Sequence, residues 1–404
     1  MTGQETSGVR TPNLSPAHAL LAAAYQRPDR PSLIDASSGR SLSVEESARL
    51  TRGLAWYFHS LGIGAEDRIV VCVPNSIWHF IIHAAASWIH AVTVPLSPLL
   101  PDKQRQEIYE RVSPALIISA DGHPVDGVSA LPLSLIEERA LQAVNQSPAT
   151  WEPLTCYEQT AALVFTSGTS GKIRAAQLSH ANLWWASQCF RDGFEYSPGS
   201  AICGVVAPLS HIGGFNGTSM DIFTHGGTVV VFSSFQPLLV VRGIEKWRIS
   251  IMFVVPAMCH MLLKAAHENN VDLSSWTHPL VGGDAMGESL YSKMREAALS
   301  PIHVWGMTEL GGAGTFLSPE AWQHHPGAIG YSFPYIELRL VDPQGNPIDE
   351  AGHSGSIEVR GPGVAPCYWG DEPRYTDEWF STLDVGVFDS DMCLHILGRA
   401  SRVI

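Results

Sequence analysis

Short apolar runs alternate along the chain with longer segments of helical character. The runs RIVVCVP (68–74) and VTVPL (92–96) predict buried strands, and the segment between them predicts a helix. The alternation recurs at 115–120, 160–167, 201–208, 227–233 and 249–256. Apolar strands separated by helices are typical of parallel sheets covered on both faces, so we predict an α/β fold with mostly parallel, helix-covered sheets.

The pattern changes after about Ile329. From there the runs are shorter, mix polar with apolar residues and are joined by turn residues such as DPQGNP (342–347). This pattern favours a small antiparallel sheet or distorted β-barrel that follows the α/β body.

Composition and charge exclude several function classes. Acidic residues outnumber basic ones, 39 to 25, and the formal net charge is −14. A chain this acidic is not expected to bind nucleic acid or an anionic membrane surface through its overall field. The most hydrophobic segment, 80–96, is interrupted by two histidines and a proline, so it predicts a buried helix and strand rather than a membrane span. We expect a cytoplasmic protein, since the polar N-terminus has no secretion signal.

The chain has seven cysteines, an odd number, and none forms a CxxC pair. Scattered cysteines within apolar runs are typical of reduced core residues in a cytosolic protein. Their spacing predicts no zinc site.

One loop carries candidate chemistry. The stretch FTSGTSGKIR (165–174) follows an apolar strand and combines glycines, hydroxyls and two basic residues. Glycines allow a backbone to approach a ligand closely, and hydroxyl and N–H groups bind phosphate oxygens. The loop is not a Walker A motif, because Thr166 replaces its first glycine and Ile173 its Ser/Thr. From these residues alone, a phosphate site and an ordinary surface turn both remain open.

The run Thr166–Arg174 also resembles the AMP-binding signature of adenylate-forming enzymes, which include acyl- and aryl-CoA synthetases, peptide-synthetase adenylation domains and luciferases. Further segments resemble other motifs of that superfamily and stand in its order. They are Pro208-Leu209-Ser210-His211 (PLxH), Gly282-Gly283-Asp284-Ala285 (GGxx), Trp305-Gly306-Met307-Thr308-Glu309 (YGxTE), the run 379–386 (WxxTGDxG) and Gly398-Arg399 (GR). Each motif is weak by itself, and each residue alone would more often be structural. The ordered set is specific.

The resemblance implies a carboxylate that attacks the α-phosphate of ATP to give an acyl-adenylate and pyrophosphate. It implies phosphate binding by Thr166, Ser167, Gly168, Thr169 and Lys172, adenine contacts from Gly283, Asp284, Ala285 and Trp305, and further ATP or AMP contacts from Gly306 and Met307. Thr308 would bind the α-phosphate, Glu309 would hold Mg²⁺, Asp384 would bind the ribose hydroxyls, and Arg399 would contact ribose or phosphate. The expected catalytic residues are Thr308, Glu309 and His211.

The segment after His211 bears on the acid. Peptide-synthetase domains for α-amino acids place an aspartate there, whereas this chain has IGGFN at 212–216. An unpaired ammonium group in a buried pocket is costly, which disfavours an ordinary α-amino acid. The expected pocket residues are His211, Gly213, Gly214, Phe215, Gly282, Val304 and Gly312, and they suit an aryl or medium acyl carboxylate.

The chain departs from the family pattern in three places. The usual PKG is Ile173-Arg174-Ala175, the acidic hinge position is Ser401, and the chain stops at Ile404, where relatives continue with a mobile C-terminal lid. A trimmed chain and a naturally short protein both fit, and either is expected to turn over slowly. The expected organisation is an α/β subdomain at 1–155, a second with the AMP-binding loop at 156–328, a β-barrel subdomain at 329–397 and a hinge start at 398–404.

The sequence thus predicts an acid–thiol ligase that uses ATP and Mg²⁺ and passes the acyl group to CoA or a carrier-protein thiol. Two alternatives remain open. One is a same-fold enzyme that activates a non-carboxylate, such as nitrite for attack by an aryl amine. The other is a nucleotide-binding pseudoenzyme.

Overall fold

The computed structural model of the protein describes residues 12–120, 130–167, 173–374 and 377–400, with Ser167 described by its backbone. Its helices are α1 (Pro16–Gln26), α2 (Val44–Ser60), α3 (Trp78–Trp88), α4 (Asp102–Val112), α5 (Leu133–Ala143), α6 (His180–Phe194), α7 (Ile212–Phe215), α8 (Ser219–Thr224), α9 (Pro237–Trp247), α10 (Pro256–Asn269), α11 (Glu288–Glu296) and α12 (Pro319–Trp322), with a 3₁₀-helix at Thr308–Leu310.

The strands follow the alternation read from the sequence. They are β1 (Pro31–Asp35), β2 (Ser41–Ser43), β3 (Arg68–Cys72), β4 (Val92–Pro95), β5 (Leu116–Ser119), β6 (Ala130–Pro132), β7 (Thr160–Ser167), β8 (Ile173–Ser179), β9 (Ile202–Val205), β10 (Thr228–Val231), β11 (Ile251–Val254), β12 (His278–Gly282), β13 (Ile302–Trp305), β14 (Thr315–Leu317), β15 (Tyr331–Ser332), β16 (Glu337–Val341), β17 (Ser354–Arg360), β18 (Cys367–Tyr368), β19 (Phe380–Phe388) and β20 (Leu394–Arg399).

Two large sheets form the α/β body. One has seven strands in the order β18-β8-β7-β4-β3-β5-β6, and the run from β7 to β6 is parallel. The other has nine strands in the order β15-β14-β13-β12-β11-β9-β10-β1-β2, and the run from β13 to β1 is parallel. The predicted mostly parallel α/β architecture is therefore confirmed.

The N-terminal hairpin, formed by β1 and β2, joins a sheet whose other strands come from much later in the sequence. β1 pairs with β10 in the nine-stranded sheet, with Leu33 opposite Val229. In the seven-stranded sheet, β7 pairs with β4, with Thr93 opposite Ala162. Each large sheet thus contains strands from both of the ranges 1–155 and 156–328.

The small third sheet begins after residue 336. Its four antiparallel strands run in the order β16-β17-β19-β20, and β19 and β20 form a hairpin whose turn spans 389–393. Buried Leu340, Ile357 and Val359 form its core together with Leu310 of the 3₁₀-helix. This packing fixes the sheet against the loop that follows β13.

The hydrophobic segment at 80–96 forms most of α3 and then β4. Every residue of α3 is buried, because the helix packs inside a core cluster that includes Ile69 of the seven-stranded sheet and Val229 of the nine-stranded sheet. Among the described residues, no helix is both long enough and apolar enough to cross a membrane.

Local signals fix where several helices begin. α2 and α6 both start with a capping box, in which Ser43 pairs with Glu46 and Ser179 pairs with Asn182. The second of these caps ends β8 and starts α6, so it sets the direction of the helix that forms one wall of the cavity described below.

Candidate functional site

The glycine-rich loop joins β7 to β8. These strands pair antiparallel, with Thr166 opposite Arg174 and Ser167 opposite Ile173, so the loop leaves the sheet at the carboxyl end of a parallel-sheet strand. The Thr166 hydroxyl lies 3.5 Å from the carbonyl oxygen of Arg174. Gly168, Thr169 and Lys172 lie outside the described residues, as does the Ser167 side chain, so their predicted phosphate contacts stay predictions.

The segment 305–312 folds back on itself beside that hairpin. A Cβ at Gly306 would lie 1.9 Å from the carbonyl oxygen of Gly312, and Gly312 has φ +97°. Both positions therefore require glycine, the first for close approach and the second for its conformation. The doubling back presents Thr308–Leu310 toward β7 and β8.

Glu309 is held in this turn by its backbone and its side chain. It is only 5% exposed, its carbonyl oxygen accepts from Ala365 N–H at 2.7 Å, and its Oε1 accepts from the Tyr368 hydroxyl at 2.7 Å. The guanidinium carbon of Arg174 lies 5.0 Å from the centre of the Tyr368 ring. The end of the glycine-rich loop is thereby connected to Glu309 through Tyr368.

Tyr368 was not among the residues predicted from the sequence. Burial and the hydrogen bond to Glu309 raise its pKa well above the ordinary value, so its hydroxyl remains a donor at neutral pH. Its only sequence signal was the aromatic doublet at 368–369, whose role depends on the pairing of β18 with β8.

Asp384 and Arg399 face each other on β19 and β20. They are register partners, and Arg399 Nε lies 3.0 Å from Asp384 Oδ1. Asp384 is 6% exposed, and burial raises the pKa of its carboxyl although Arg399 and Trp305 oppose that shift. The position of Trp305 beside Asp384 brings the small sheet to the segment that carries Glu309.

A cavity of about 390 Å³ opens next to the same segment. Its walls are mainly apolar and include Phe190 and Phe194 from α6, Phe253 from β11 and Met258 from α10. In the described part of the chain, His211 is the only ionisable side chain in the lining. His211 is solvent-accessible at the start of α7, yet partial burial lowers its pKa, so the ring is neutral at pH 7.

The predicted pocket residues divide into two groups. His211, Gly213, Gly214, Val304 and Gly312 line the cavity. Phe215 and Gly282 do not: Phe215 is 2% exposed with its ring 4.9 Å from that of His83, and Gly282 packs against the backbone of Val304.

The predicted adenine-side loop follows β12. Gly283 has φ +79° and lines the cavity, while Asp284 and Ala285 are exposed and Asp284 Oδ1 accepts from the Ala285 N–H at 2.8 Å. Gly306 lines the same cavity directly before Met307 and Thr308. The cavity and the predicted nucleotide segments therefore adjoin, at the carboxyl ends of parallel strands where α/β folds commonly bind ligands.

The chain is similar to known proteins over most of its length. A family model described as AMP-binding enzyme matches residues 20–369. The chain is 28% identical over 374 residues to a feruloyl-CoA synthase of Amycolatopsis sp., covering 91% of this chain and 75% of that protein. It is 26% identical over 383 residues to the indoleacetate–CoA ligase of Aromatoleum aromaticum, covering 90% and 75%.

Solved structures share the fold. The inhibitor-bound N-terminal domain of FACL13 from Mycobacterium tuberculosis superposes with a TM-score of 0.85 at 19% identity, covering 96% of this chain and 100% of that one. O-succinylbenzoate coenzyme A synthetase (MenE) from Bacillus subtilis, in complex with ATP and magnesium ion, gives 0.83 at 21% identity, covering 96% and 80%. The family match spans most of the chain, and this protein belongs to the AMP-binding enzyme family.

Proposed function

We propose that the chain converts an aromatic carboxylic acid and ATP into an acyl-adenylate and pyrophosphate, and that the acyl group then passes to the thiol of CoA. The observation that carries this proposal is the apolar, phenylalanine-walled cavity that adjoins the Thr308–Leu310 turn. A carrier-protein thiol is the other acceptor that the sequence predicts.

The cavity supports the choice of acid. Its volume of about 390 Å³ lies within the range of small-molecule sites, which commonly span about 300–1,000 Å³. Phe190, Phe194 and Phe253 offer faces and edges for an aromatic ring. Feruloyl-CoA synthase and indoleacetate–CoA ligase are named for aromatic acids, which is consistent with such a substrate.

The lining also disfavours an amino acid. The described residues that form it include no aspartate or glutamate, and His211 is neutral at pH 7 because its pKa is lowered. An α-ammonium group would have no anionic partner there, so its desolvation would not be offset.

The chemical step needs no proton transfer. An oxygen of the substrate carboxylate forms a bond to the α-phosphorus, the bond from that phosphorus to the bridging oxygen breaks, and pyrophosphate leaves. Catalysis then consists of alignment and charge stabilisation. Thr308 would donate its hydroxyl to an α-phosphate oxygen, and Gly306 and Gly312 allow the segment that carries it to fold back beside the cavity.

Glu309 fits the role of a magnesium ligand. Its Oε1 accepts from the Tyr368 hydroxyl, and no hydrogen bond to Oε2 is found within the described ranges, so that oxygen is available. Carboxylate oxygens are preferred ligands of Mg²⁺, which when bound would neutralise charge on the phosphates. Asp384 would accept from the ribose hydroxyls, with Arg399 fixing its orientation.

The test is adenylate formation by the purified chain with ATP, Mg²⁺ and a panel of acids, read as acyl-AMP by mass spectrometry and as pyrophosphate release. Ferulate, 4-coumarate and indoleacetate are expected to react, and phenylalanine is not. Glu309→Gln should lower the rate on the order of 100-fold, because a charged ligand of the metal is lost. Glu320→Gln, on the exposed surface of α12, is the matched control.

Two outcomes would overturn the proposal. One is reaction with phenylalanine in preference to every aromatic acid. The other is ATP binding without adenylate from any acid, which would favour a pseudoenzyme. Nitrite with an aryl amine belongs in the panel as the remaining alternative.

A further inference from the structure

A second cluster of ligand-type side chains lies at the turn of the β19–β20 hairpin, away from the cavity. One ligand atom from each of His325, Asp389 and Cys393 lies within 4.8 Å of the other two. His395 adds a fourth candidate, since its Nε2 is 3.2 Å from Asp389 Oδ2. The turn is five residues beyond Asp384, or about 16 Å along an extended strand, so this cluster is separate from the proposed ribose contact.

We propose that His325, Asp389, Cys393 and His395 bind one zinc ion. Two imidazoles, a thiolate and a carboxylate form a ligand set that suits Zn²⁺. Softer ions would select more sulfur, and Mg²⁺ or Ca²⁺ would select oxygen.

The ligand atoms of His325, Asp389 and Cys393 lie within 4.8 Å of one another, and His395 approaches the cluster at Asp389, so zinc would have to draw the four side chains into a tetrahedral arrangement. His325 Nδ1 and His395 Nε2 approach the same carboxylate oxygen, Asp389 Oδ2, at 2.7 and 3.2 Å. Ligand atoms around tetrahedral zinc lie about 3.3–3.8 Å apart, given metal–ligand bonds of about 2.0–2.3 Å. Zinc would therefore move His325 Nδ1 and Asp389 Oδ2 apart by roughly 0.6–1.1 Å.

Neighbouring groups already orient these ligands. The other carboxylate oxygen, Asp389 Oδ1, accepts from the backbone N–H groups of Asp391 at 3.0 Å and Cys393 at 2.9 Å, which directs Oδ2 into the cluster. His325 Nε2 lies 3.4 Å from the Tyr331 hydroxyl and 3.8 Å from a carboxylate oxygen of Asp391. Zinc-bound histidines commonly have such a partner on their second ring nitrogen.

Zinc binding requires the loss of a proton from Cys393. Cys393 is fully buried, and burial raises the pKa of its thiol to about 11, so the thiol is protonated in the metal-free protein. Zinc must displace that proton, as it does at structural cysteine sites. Without zinc, the same side chains form a hydrogen-bonded network around Asp389, and this is the competing interpretation.

The site would join two segments of the chain. His325 follows α12, next to the nine-stranded sheet, whereas the other three ligands belong to the small sheet. Both segments already meet where Ile329 N–H donates to the Leu394 carbonyl oxygen at 2.8 Å. Zinc would reinforce this contact and thus hold the hairpin that carries Asp384 and Arg399.

The experiment uses the full chain without an affinity tag, grown with zinc and dialysed. Metal analysis is expected to give about one zinc per chain, and removal by a chelator should lower the melting temperature. His325→Gln and Cys393→Ser should retain little zinc. His324→Gln, which alters an exposed neighbouring ring, is the matched control and should retain it.

Cobalt substitution keeps the test independent of how the variants fold. Wild-type protein loaded with Co²⁺ should show thiolate-to-metal absorption in the near ultraviolet. The proposal is overturned if the wild type binds substoichiometric zinc, if its cobalt form lacks this absorption, or if His324→Gln loses as much zinc as His325→Gln.

Discussion

Two carboxylates on one hairpin, Asp384 and Asp389, are held in opposite ways. Asp384 is buried against one cation, Arg399, and burial raises its pKa. Asp389 is also partly buried, but hydrogen bonds from Cys393 N–H, His395 and His325 outweigh burial and lower its pKa. The first carboxylate has Arg399 as its charged partner, whereas the second accepts from two imidazoles and two backbone N–H groups. This contrast fits the proposed ribose contact at one end of the hairpin and a structural role for Asp389, with or without zinc, at the other.

The largest expected effect is on activity at the Asp384 end. Asp384→Ala removes the acceptor proposed for the ribose, so adenylate formation should fall on the order of 100-fold. The free energy of unfolding should change little, because the buried charge is lost together with its desolvation cost and Arg399 is half-exposed. Initial rates and urea unfolding check both parts. An unchanged rate would remove Asp384 from the site.

At Asp389, by contrast, we expect the main effect to be on stability rather than on activity. Asp389→Ala removes the acceptor for two backbone N–H groups and two imidazoles, and we expect a loss of about 2 kcal/mol in the free energy of unfolding. Asp391→Ala, in the same turn but mostly exposed, is the control. Urea unfolding in the presence of a chelator measures the difference without a contribution from metal. Equal stability of the two variants would contradict the structural role of Asp389.

Glu309 is expected to show an intermediate effect, because among the described residues one side-chain hydrogen bond, from the Tyr368 hydroxyl, orients its carboxylate. Tyr368→Phe removes that hydroxyl, and a hydrogen bond of about 0.5–1.5 kcal/mol corresponds to a roughly 2- to 12-fold change. The Mg²⁺ concentration for half-maximal adenylate formation should rise by this factor. Tyr291→Phe loses a comparable hydrogen bond, to the Pro319 carbonyl, and should leave the Mg²⁺ requirement unchanged.

The raised pKa of Asp384 also predicts how the stability of the protein depends on pH. Its pKa in the folded protein is raised, so its ionised form opposes folding at neutral pH. As the pH falls through that pKa toward the ordinary carboxyl value, the folded protein takes up the proton first. The stability of the wild type relative to Asp384→Asn should therefore increase. Urea unfolding from about pH 7 to pH 4 tests the sign, and a decrease would show that Arg399 outweighs burial.

The smallest effects concern one exposed apolar residue near each carboxylate. Leu383 has φ +62° and Met392 has φ +59°, a left-handed conformation that favours glycine. Leu383→Gly and Met392→Gly should each raise the free energy of unfolding by about 0.5–1 kcal/mol, since relief of strain exceeds the added unfolded-state entropy. Thermal melts of both variants measure this. A lower melting temperature for either variant would indicate that the side chain removed makes a stabilising contact.

Much of the fold was predictable because its strands are short, apolar and separated by helices. The run 68–74 and the segment 80–96 gave β3, α3 and β4 close to their true bounds. The pairing of β1 with β10 was not predictable, since hydrophobic pattern shows that a strand is buried but not which sheet it joins. The subdomain bounds proposed from sequence remain a prediction.

The candidate site was predictable where a motif is contiguous and not where side chains converge from separate elements. Glu309 and Asp384 stand in motifs, whereas Tyr368 reaches Glu309 only because β18 pairs with β8. Phe215 is a glycine-flanked aromatic in sequence, yet it points into the core beside His83. The proposed zinc ligands could not be recognised from their spacing in the sequence, because His325 lies 64 residues before Asp389.

The pairing of β1 with a distant strand also affects the order in which the chain can fold during synthesis. β1 can complete its place in the nine-stranded sheet only after its partner β10 has left the ribosome, because Leu33 pairs with Val229. At about 5–20 residues per second, that delay is roughly 10–40 s. During this time β1 and β2 expose unpaired edges that invite association with other nascent chains. Chaperone binding is therefore expected to be concentrated on the first half of the emerging polypeptide.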